Sequence, residues 1–277
     1  MINQISRKWL ALFIAIALIT LVQCSSDDKA TNGSGNNTGN DTTYVADHLS
    51  PAAFSSIPAS VIRQVRSDYR IFYGHTSHGS QVLTGMGMLQ TEDTLYQVNN
   101  GAGSLSITEY SDDLGCCGDT TWVAPTRAHL NQQGNTTNIV VWSWCGGVSG
   151  STIADMDVYL NKMNQLEHDY PNVTFIYMTG HLDGSGPTGT LYTNNNHIRA
   201  YCTANNKILF DFADIESYDP EGNYYPNGSD ACEWCITWSA EHTSPSCSGC
   251  AHTDCFNCYQ KGKSFWWLLS RLSGWQE

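Results

Sequence analysis

Short apolar runs separated by longer segments of mixed polarity organise the chain from about residue 58 to residue 272. Four runs are continuously apolar, which is typical of strands buried on both faces of a sheet, and a fifth alternates. The predicted strands span residues 69–73, 104–110, 138–144, 173–178 and 208–212. Apolar residues at helical spacing predict helices over residues 58–67, 81–89, 126–132, 151–170, 195–205 and 265–272. This alternation predicts an α/β fold with a parallel sheet covered by helices on both faces.

Small and polar residues follow three of the predicted strands directly. The three turns are His75-Thr76-Ser77-His78-Gly79, Cys145-Gly146-Gly147 and Thr179-Gly180-His181. Because the carboxyl ends of parallel strands lie at one edge of the sheet, we expect these turns to converge on a ligand site. A serine at a strand-to-helix turn exposes its hydroxyl near helix N–H groups, which suits a nucleophile, although the same position also suits a helix cap. Ser77 is therefore the candidate nucleophile, with Thr76 and Ser80 as alternatives.

The N-terminal part of the chain has a different composition. Arg7 and Lys8 precede an apolar run over residues 10–22, whose length fits a signal-peptide core better than a membrane span. The run ends in Leu-Val-Gln-Cys24, which resembles a bacterial lipobox and implies that Cys24 is lipidated. The following residues are rich in Gly, Asn, Ser and Thr, which predicts a flexible tether. We therefore expect a signal peptide over residues 1–23, a tether over 24–46, and one domain over 47–277 at the bacterial cell envelope.

Charge and aromatic content narrow the range of partners. The chain carries 26 acidic and 13 basic residues, a net charge of −13, which disfavours nucleic acid and anionic membrane surfaces. Its 14 tyrosines and nine tryptophans can fill a core or stack on sugar rings. We assign Trp142, Trp144, Trp266 and Trp267 to the core. The composition favours a polysaccharide or a small ester as the substrate, contact with a membrane only through the lipid anchor, and a monomer.

Ten cysteines remain after Cys24, an even number that predicts disulfides in an exported chain. Three C-x-x-C pairs crowd into 27 residues near the C-terminus, and this spacing also fits structural zinc. These six cysteines are Cys232, Cys235, Cys247, Cys250, Cys255 and Cys258. The sequence predicts a cross-linked, loop-rich region here, leaves zinc open as an alternative, and indicates no other cofactor.

The order of elements and turn motifs resembles the SGNH/GDSL hydrolase superfamily. Its first block, G-D-S after the first strand, corresponds to Gly-His75-Thr-Ser77 in this chain, and its last block, D-x-x-H before a C-terminal helix, corresponds to the segment around His252. The resemblance implies a flavodoxin-like three-layer α/β/α domain. It also implies the activity of a serine esterase, a group that includes carbohydrate deacetylases.

The resemblance assigns roles to particular residues. Ser77 would attack the ester, and His252 would act as base and then as acid. Asp254 is the nearest carboxylate to His252, and Asp214 and Glu216 are alternatives for the acid. Ser77 and Gly147 would donate backbone N–H groups to the oxyanion, and His181 would supply a further donor. His75 and His78 flank the serine, where either could serve as the base or orient the substrate.

Two other functions fit the same residues. The first is a surface lipoprotein that binds glycans without catalysis, because the family's oxyanion Asn and its D-x-x-H pattern are absent. The second is a metal-dependent hydrolase, since three histidines and one carboxylate form a plausible zinc set. That set comprises His75, His78, His181 and Asp183.

Overall fold

The computed structural model describes residues 44–277, and the predicted signal peptide, Cys24 and most of the predicted tether lie outside the described residues. Its centre is a six-stranded sheet in which every pair of neighbours is parallel. The strands are β1 (Val45–Ala46), β2 (Arg70–Gly74), β3 (Ser106–Tyr110), β4 (Ile139–Trp142), β5 (Thr174–Met178) and β6 (Ile208–Phe210). Their spatial order is β1-β6-β5-β4-β2-β3. The predicted α/β fold with a parallel sheet is confirmed.

Ten α-helices among the described residues surround the sheet. They are α1 (Ser50–Ala53), α2 (Ala59–Asp68), α3 (Ser77–Glu92), α4 (Val123–Leu130), α5 (Gly147–Gly150), α6 (Ile153–Asp169), α7 (Thr190–Ala204), α8 (Phe212–Ser217), α9 (Glu233–Glu241) and α10 (Cys255–Leu272). One group packs around α10 and contains α1, α2 and α3, while α5 and α6 pack on α7. Among these residues no helix combines the length and apolar character needed to cross a bilayer.

The central strands β2, β4 and β5 are buried because most of their side chains are apolar, whereas the edge strand β3 is largely exposed. All four residues of β4 are buried, and so are four of the five in β2 and in β5. The predicted core tryptophans Trp142, Trp144 and Trp266 are buried, and Trp267 packs against the same core partly exposed. Continuously apolar runs therefore predicted the central strands of the sheet correctly.

The structure extends the predicted elements at three places. Val45–Ala46, at the end of the predicted tether, forms an edge strand paired with β6. Two residues carry no periodicity, so no sequence pattern could have shown this strand. Helix α10 begins at Cys255 rather than near residue 265, because Asp254 caps it by accepting a hydrogen bond from the Phe256 N–H. Helix α8 lies where no element was predicted, and α9 lies within the cysteine-rich segment that was predicted to be loop-rich.

Two glycines let α3 and α10 pack in backbone contact. A Cβ at Gly85 would lie 1.8 Å from the carbonyl oxygen of Cys258, and a Cβ at Gly262 would lie 2.3 Å from the carbonyl carbon of Gly85. Any larger residue at either position would force the helices apart. The close crossing brings the start of α3 near the residues that precede α10.

A buried ion pair joins α10 to α8. Lys261 Nζ lies 2.5 Å from Glu216 Oε1, and both side chains are 0% exposed. Lys261 also donates to Gln81 on α3, and Glu216 accepts the N–H of Leu182 at 2.8 Å. Gln81 in turn donates to the carbonyl of Ala251 at 2.6 Å. The network therefore ties α3, α8, α10 and the loops at residues 182 and 251 together.

Eight of the ten described cysteines form disulfides. The pairs are Cys116–Cys117, Cys232–Cys235, Cys247–Cys255 and Cys250–Cys258. The first C-x-x-C motif closes on itself and the other two cross-link each other, so the six C-terminal cysteines present no thiolates for zinc. Cys145 and Cys202 are free. The even number of cysteines had predicted that all ten form disulfides. This prediction is wrong for Cys145 and Cys202.

Removing the buried cation should strongly destabilise the fold. Lys261→Met leaves the Glu216 carboxylate buried without a counter-charge, so we expect the free energy of unfolding to fall by about 3–5 kcal/mol. Urea unfolding at neutral pH measures it. The matched control is Lys263→Met on the same helix, at a half-buried lysine that forms no salt bridge among the described residues. Equal losses in the two variants would contradict the role of the pair.

Candidate active site

Sheet topology places the ends of β2 and β4 side by side. Without the edge strand β1, the order of the strands is that of a doubly wound sheet whose direction of growth reverses between β2 and β4. Ligands bind in such folds in the crevice at that reversal. The residues that follow are Ser77 and His78, at the start of α3, and Cys145, ahead of α5. Gly146 has φ 77°, a left-handed conformation that glycine adopts freely, and it turns the chain sharply after Cys145.

Cys145, His78 and Asp230 form a connected chain of contacts at this crevice. The Sγ of Cys145 lies 3.3 Å from Nδ1 of His78, and Nε2 of His78 lies 3.0 Å from Oδ2 of Asp230. A carboxylate only accepts, so Nε2 carries the proton that donates to Asp230. Nδ1 is then the acceptor for the thiol proton. This tautomer of His78 is the one that a general base for the thiol requires.

Burial keeps His78 neutral. Its side chain is 7% exposed, and desolvation lowers its pKa from 6.5 to about 4 although the hydrogen bond to Asp230 acts in the opposite direction. The neighbouring imidazoles of His181 and His252 lower the pKa further. Above about pH 5 the ring is therefore available to accept a proton.

Three histidine rings are stacked in parallel at the site, with His78 in the middle. The centroids of the His181 and His78 rings are 3.7 Å apart, with an angle of 3° between the planes. The centroids of the His252 and His78 rings are 4.4 Å apart, with an angle of 8°. Sequence analysis had predicted that these histidines contribute to one site, and the structure brings all three together. The stack fixes the plane of His78 and hence the direction of its two nitrogens.

Ser77 lies next to Cys145 rather than next to a histidine nitrogen. Its Oγ is 3.2 Å from the sulfur of Cys145, and since the thiol proton is directed at His78, the hydroxyl donates to the sulfur. No hydrogen bond among the described residues links Ser77 to a histidine. Thr76 donates to Asp113 at 2.5 Å and Ser80 donates to the Ser77 carbonyl at 2.6 Å, so both alternatives are engaged elsewhere.

The predicted base and acid partners do not form the expected relay. His252 stacks on His78, and within residues 44–277 no hydrogen bond joins it to Asp254, which caps α10 instead. A carboxylate just ahead of a helix serves as a cap because it accepts otherwise unpaired N–H groups. The two alternative acids are also engaged: Asp214 binds His48 at 2.6 Å and Glu216 binds Lys261.

The remaining predicted site residues lie around this centre. Nε2 of His75 is 3.0 Å from Glu109, which draws its ring toward β3. Gly147 opens α5, and a Cβ there would lie 1.8 Å from the carbonyl oxygen of Gly115, so only glycine fits. His181 donates from Nδ1 to the carbonyl of Leu182 at 2.6 Å, which leaves Nε2 as an acceptor rather than the donor an oxyanion needs.

The first turn of α3 offers better oxyanion donors. The N–H groups at the start of a helix have no partner within it and carry the positive end of the helix dipole. Here they belong to Ser77, His78 and Gly79, directly beside Cys145. A Cβ at Gly79 would lie 2.2 Å from Ser143 Oγ, so this turn is packed tightly against the end of β4.

The described residues at this crevice do not suit a resident metal ion. His78, His181 and Asp230 place one ligand atom each within 4.8 Å of one another, but Nε2 of His78 is already bonded to Asp230. An imidazole binds a metal through a lone pair in the plane of its ring, and two rings stacked at 3.7 Å with 3° between them hold those lone pairs in separate, nearly parallel planes, so one ion does not lie in both. The predicted set with His75 and Asp183 is not assembled, since His75 faces Glu109 and Asp183 accepts from Ser149 and Ser185.

Sequence analysis did not identify two of the three residues in the Cys145–His78–Asp230 arrangement. Cys145 was counted among the disulfide cysteines, although its place after a buried strand and ahead of Gly146-Gly147 is the signal that could have identified it. Asp230 lies in a loop between β6 and the C-terminal cysteines, with the disulfide Cys232–Cys235 two residues further on. No spacing motif marks it, because its approach to His78 depends on a contact across 152 residues.

Comparisons with known proteins add little. No family model matches the chain, and no curated protein matches it. A solved structure from Bacteroides fragilis, described as a "putative acylhydrolase", is similar over 57% of this chain and 74% of that chain, with 10% sequence identity and a TM-score of 0.35. A likeness of this size carries no argument about function, which therefore has to be inferred from the site itself.

Proton linkage at His78 gives a test of the site's geometry. Between about pH 4 and 6.5 the unfolded chain binds the His78 proton and the folded chain does not, so this residue lowers the free energy of unfolding as the pH falls. His78→Gln removes this contribution. Urea unfolding at pH 7 and pH 4.5 should show wild type losing more stability than the variant, by on the order of 1–2 kcal/mol after solvent screening. Equal losses would mean that His78 is not desolvated.

Proposed function

We propose that the protein is an acyl hydrolase that uses the Cys145 thiol as its nucleophile. The observation that carries this proposal is the connected Cys145–His78–Asp230 arrangement, with distances of 3.3 Å and 3.0 Å, in the crevice where β2 and β4 end. A thiol, a neutral imidazole and an orienting carboxylate are the three parts that covalent acyl transfer requires. The serine mechanism that the sequence favoured lacks a base within hydrogen-bond reach of Ser77.

The first half of the reaction forms a thioester. Nδ1 of His78 takes the thiol proton while the sulfur of Cys145 bonds to the acyl carbon, and the carbonyl oxygen becomes an oxyanion. The N–H groups of the first turn of α3 stabilise that charge. The intermediate then expels the alcohol, which receives the proton from His78.

The second half restores the enzyme. His78 takes a proton from water as the water oxygen attacks the thioester, and the sulfur leaves as the carboxylic acid product forms. The proton on His78 then returns to the sulfur. Asp230 holds the ring in the required tautomer throughout, and the stacked rings of His181 and His252 prevent it from turning.

Replacement of the two candidate nucleophiles distinguishes the mechanisms. Cys145→Ala should reduce the hydrolysis of 4-nitrophenyl acetate by at least about 1,000-fold, the usual loss for a nucleophile in such a triad. Ser77→Ala should reduce it by less than about tenfold, because only a hydrogen bond to the sulfur is lost. The assay is run without reductant so that the four disulfides persist. The opposite ranking would restore Ser77 as nucleophile, and full activity in both variants would remove this site from catalysis.

The second free cysteine provides an internal control for labelling. Iodoacetamide should alkylate Cys145 in the folded protein, as peptide mass spectrometry can show. Cys202 is buried, and burial raises its pKa to about 12, so it should remain unmodified. Modification of Cys202 but not Cys145 would contradict an accessible nucleophile.

We also propose that the protein is exported and anchored at the cell envelope through Cys24. The lipobox-like run supports this proposal, and the four disulfides suit an oxidising compartment. Labelled palmitate fed to expressing bacteria should enter the wild-type protein and not Cys24→Ala. Equal labelling of both would exclude lipidation at this residue.

A further inference from the structure

A separate cavity of about 270 Å³ lies beside the Cys145–His78–Asp230 arrangement. It is too small for a long polymer segment but holds the volume of roughly nine waters at ~30 Å³ each. Three tyrosines, two carboxylates and one guanidinium define its chemistry: Tyr192, Tyr218, Tyr224, Asp183, Asp214 and Arg199. None of them takes part in the proposed catalytic steps.

The wall of this cavity is built from the segments that hold the catalytic residues. Asp183 comes two residues after His181, and it pairs as an isolated bridge with Ser229, which immediately precedes Asp230. Gly184 N–H donates to the carbonyl of Gly228 at 3.1 Å, which clamps the two segments together. A group bound in the cavity is therefore held close to the crevice.

Aromatic faces line one part of the cavity. Tyr218 is fixed between His48, at 3.7 Å, and Tyr224, at 4.8 Å, in a stack of three rings. Tyr224 remains 46% exposed and Tyr192 39% exposed. Such faces pack well against the C–H groups of a flat, partly apolar ring.

Polar groups in the cavity include both donors and acceptors without partners. Among the described residues, Oδ1 of Asp214 accepts no side-chain hydrogen bond, because His48 binds Oδ2. The hydroxyls of Tyr192, Tyr218 and Tyr224 and the amide nitrogen of Asn196 also lack partners in residues 44–277. Hydroxyl groups, which donate and accept together, match such a lining better than groups that do only one.

Charge excludes other classes of ligand. Arg199 is neutralised by a two-point contact with Asp211 at 2.6 and 2.7 Å, so it does not attract an anion. Although burial raises the pKa of Asp183, hydrogen bonds from Ser185 and Ser149 outweigh it and keep the pKa below its ordinary value. The ionised carboxylate repels anions, and an alkyl chain would cover the lining carboxylates and hydroxyls without offering them hydrogen bonds.

We infer that this cavity binds a neutral saccharide unit of the substrate, stacked on Tyr224 and Tyr192 and hydrogen-bonded to Asp214 and Asn196. The inference rests on the proposed function, since it names the part of an acylated substrate that lies next to the reacting ester. It assigns the protein to acylated neutral carbohydrates rather than to lipid or acidic esters.

Two ester substrates test the inference. A monoacetylated sugar, 6-O-acetylglucose, offers a ring with free hydroxyls to the cavity, and 4-nitrophenyl acetate does not. Tyr224→Ala and Tyr192→Ala should each lower kcat/KM for 6-O-acetylglucose by about tenfold, the effect of one lost ring contact, and leave 4-nitrophenyl acetate within twofold. The matched control is Ile153→Ala, equally exposed at 39% and outside the cavity, which should change neither.

A binding measurement separates failure of this inference from failure of the proposed function. Calorimetric titration of the Cys145→Ala protein with cellotriose, xylotriose and maltotriose should detect binding of at least one, and Tyr224→Ala should abolish it. Inactivity of the wild type on both esters would sink the proposed hydrolase, while tyrosine-dependent trisaccharide binding would still support the cavity. Equal loss on both esters together with no trisaccharide binding would overturn the inference.

Discussion

The buried pair of Lys261 and Glu216 is the constraint on which the site depends. Both side chains are fully buried, so each charge is tolerable only while the other is in place. Their hydrogen bonds reach residues close to the stacked histidines in the chain. Lys261 donates to Gln81, three residues after His78, and Glu216 accepts from Leu182, which follows His181. Gln81 in turn donates to Ala251, which precedes His252. One network thus sets the positions of three rings that come from different parts of the sequence. Because α3 and α10 are in backbone contact at Gly85 and Gly262, neither helix can shift toward the other.

The sheet supplies the second condition for chemistry. In a doubly wound sheet, the connections from two neighbouring strands run to opposite sides at the point where the strand order reverses. This leaves a crevice at their carboxyl ends, and here it lies between β2 and β4. One strand delivers His78 at the start of a helix and the other delivers Cys145 at a glycine turn. Neither segment is a site alone, because a thiol without a base is a weak nucleophile and a desolvated imidazole without a partner has nothing to activate.

Local patterns predicted the fold well because they record local physics. Apolar runs marked β2, β4, β5 and β6 and alternation marked β3, and the turns after the apolar runs were expected to meet at one edge, as they do for His78, Cys145 and His181. Sequence reasoning favoured Ser77 because a serine at that turn is a familiar pattern, but the thiol one strand away holds the contact with the base. Asp230 and the buried ion pair could not be predicted, because each is defined by contacts between residues more than 40 positions apart.

The two unpaired cysteines show why position, rather than residue type, decides reactivity. Cys202 lies in the core on α7, where burial holds its proton, and it packs as a small apolar side chain. Cys145 lies at the carboxyl end of β4, partly exposed, in contact with the neutral imidazole of His78 and the hydroxyl of Ser77 in the first turn of α3. The other eight cysteines in residues 44–277 are paired, and of the two that are not, the more accessible one is in contact with His78 and Ser77. An accessible thiol in contact with a neutral imidazole is the more reactive of the two toward electrophiles, which is why the proposed nucleophile is Cys145 and not Cys202.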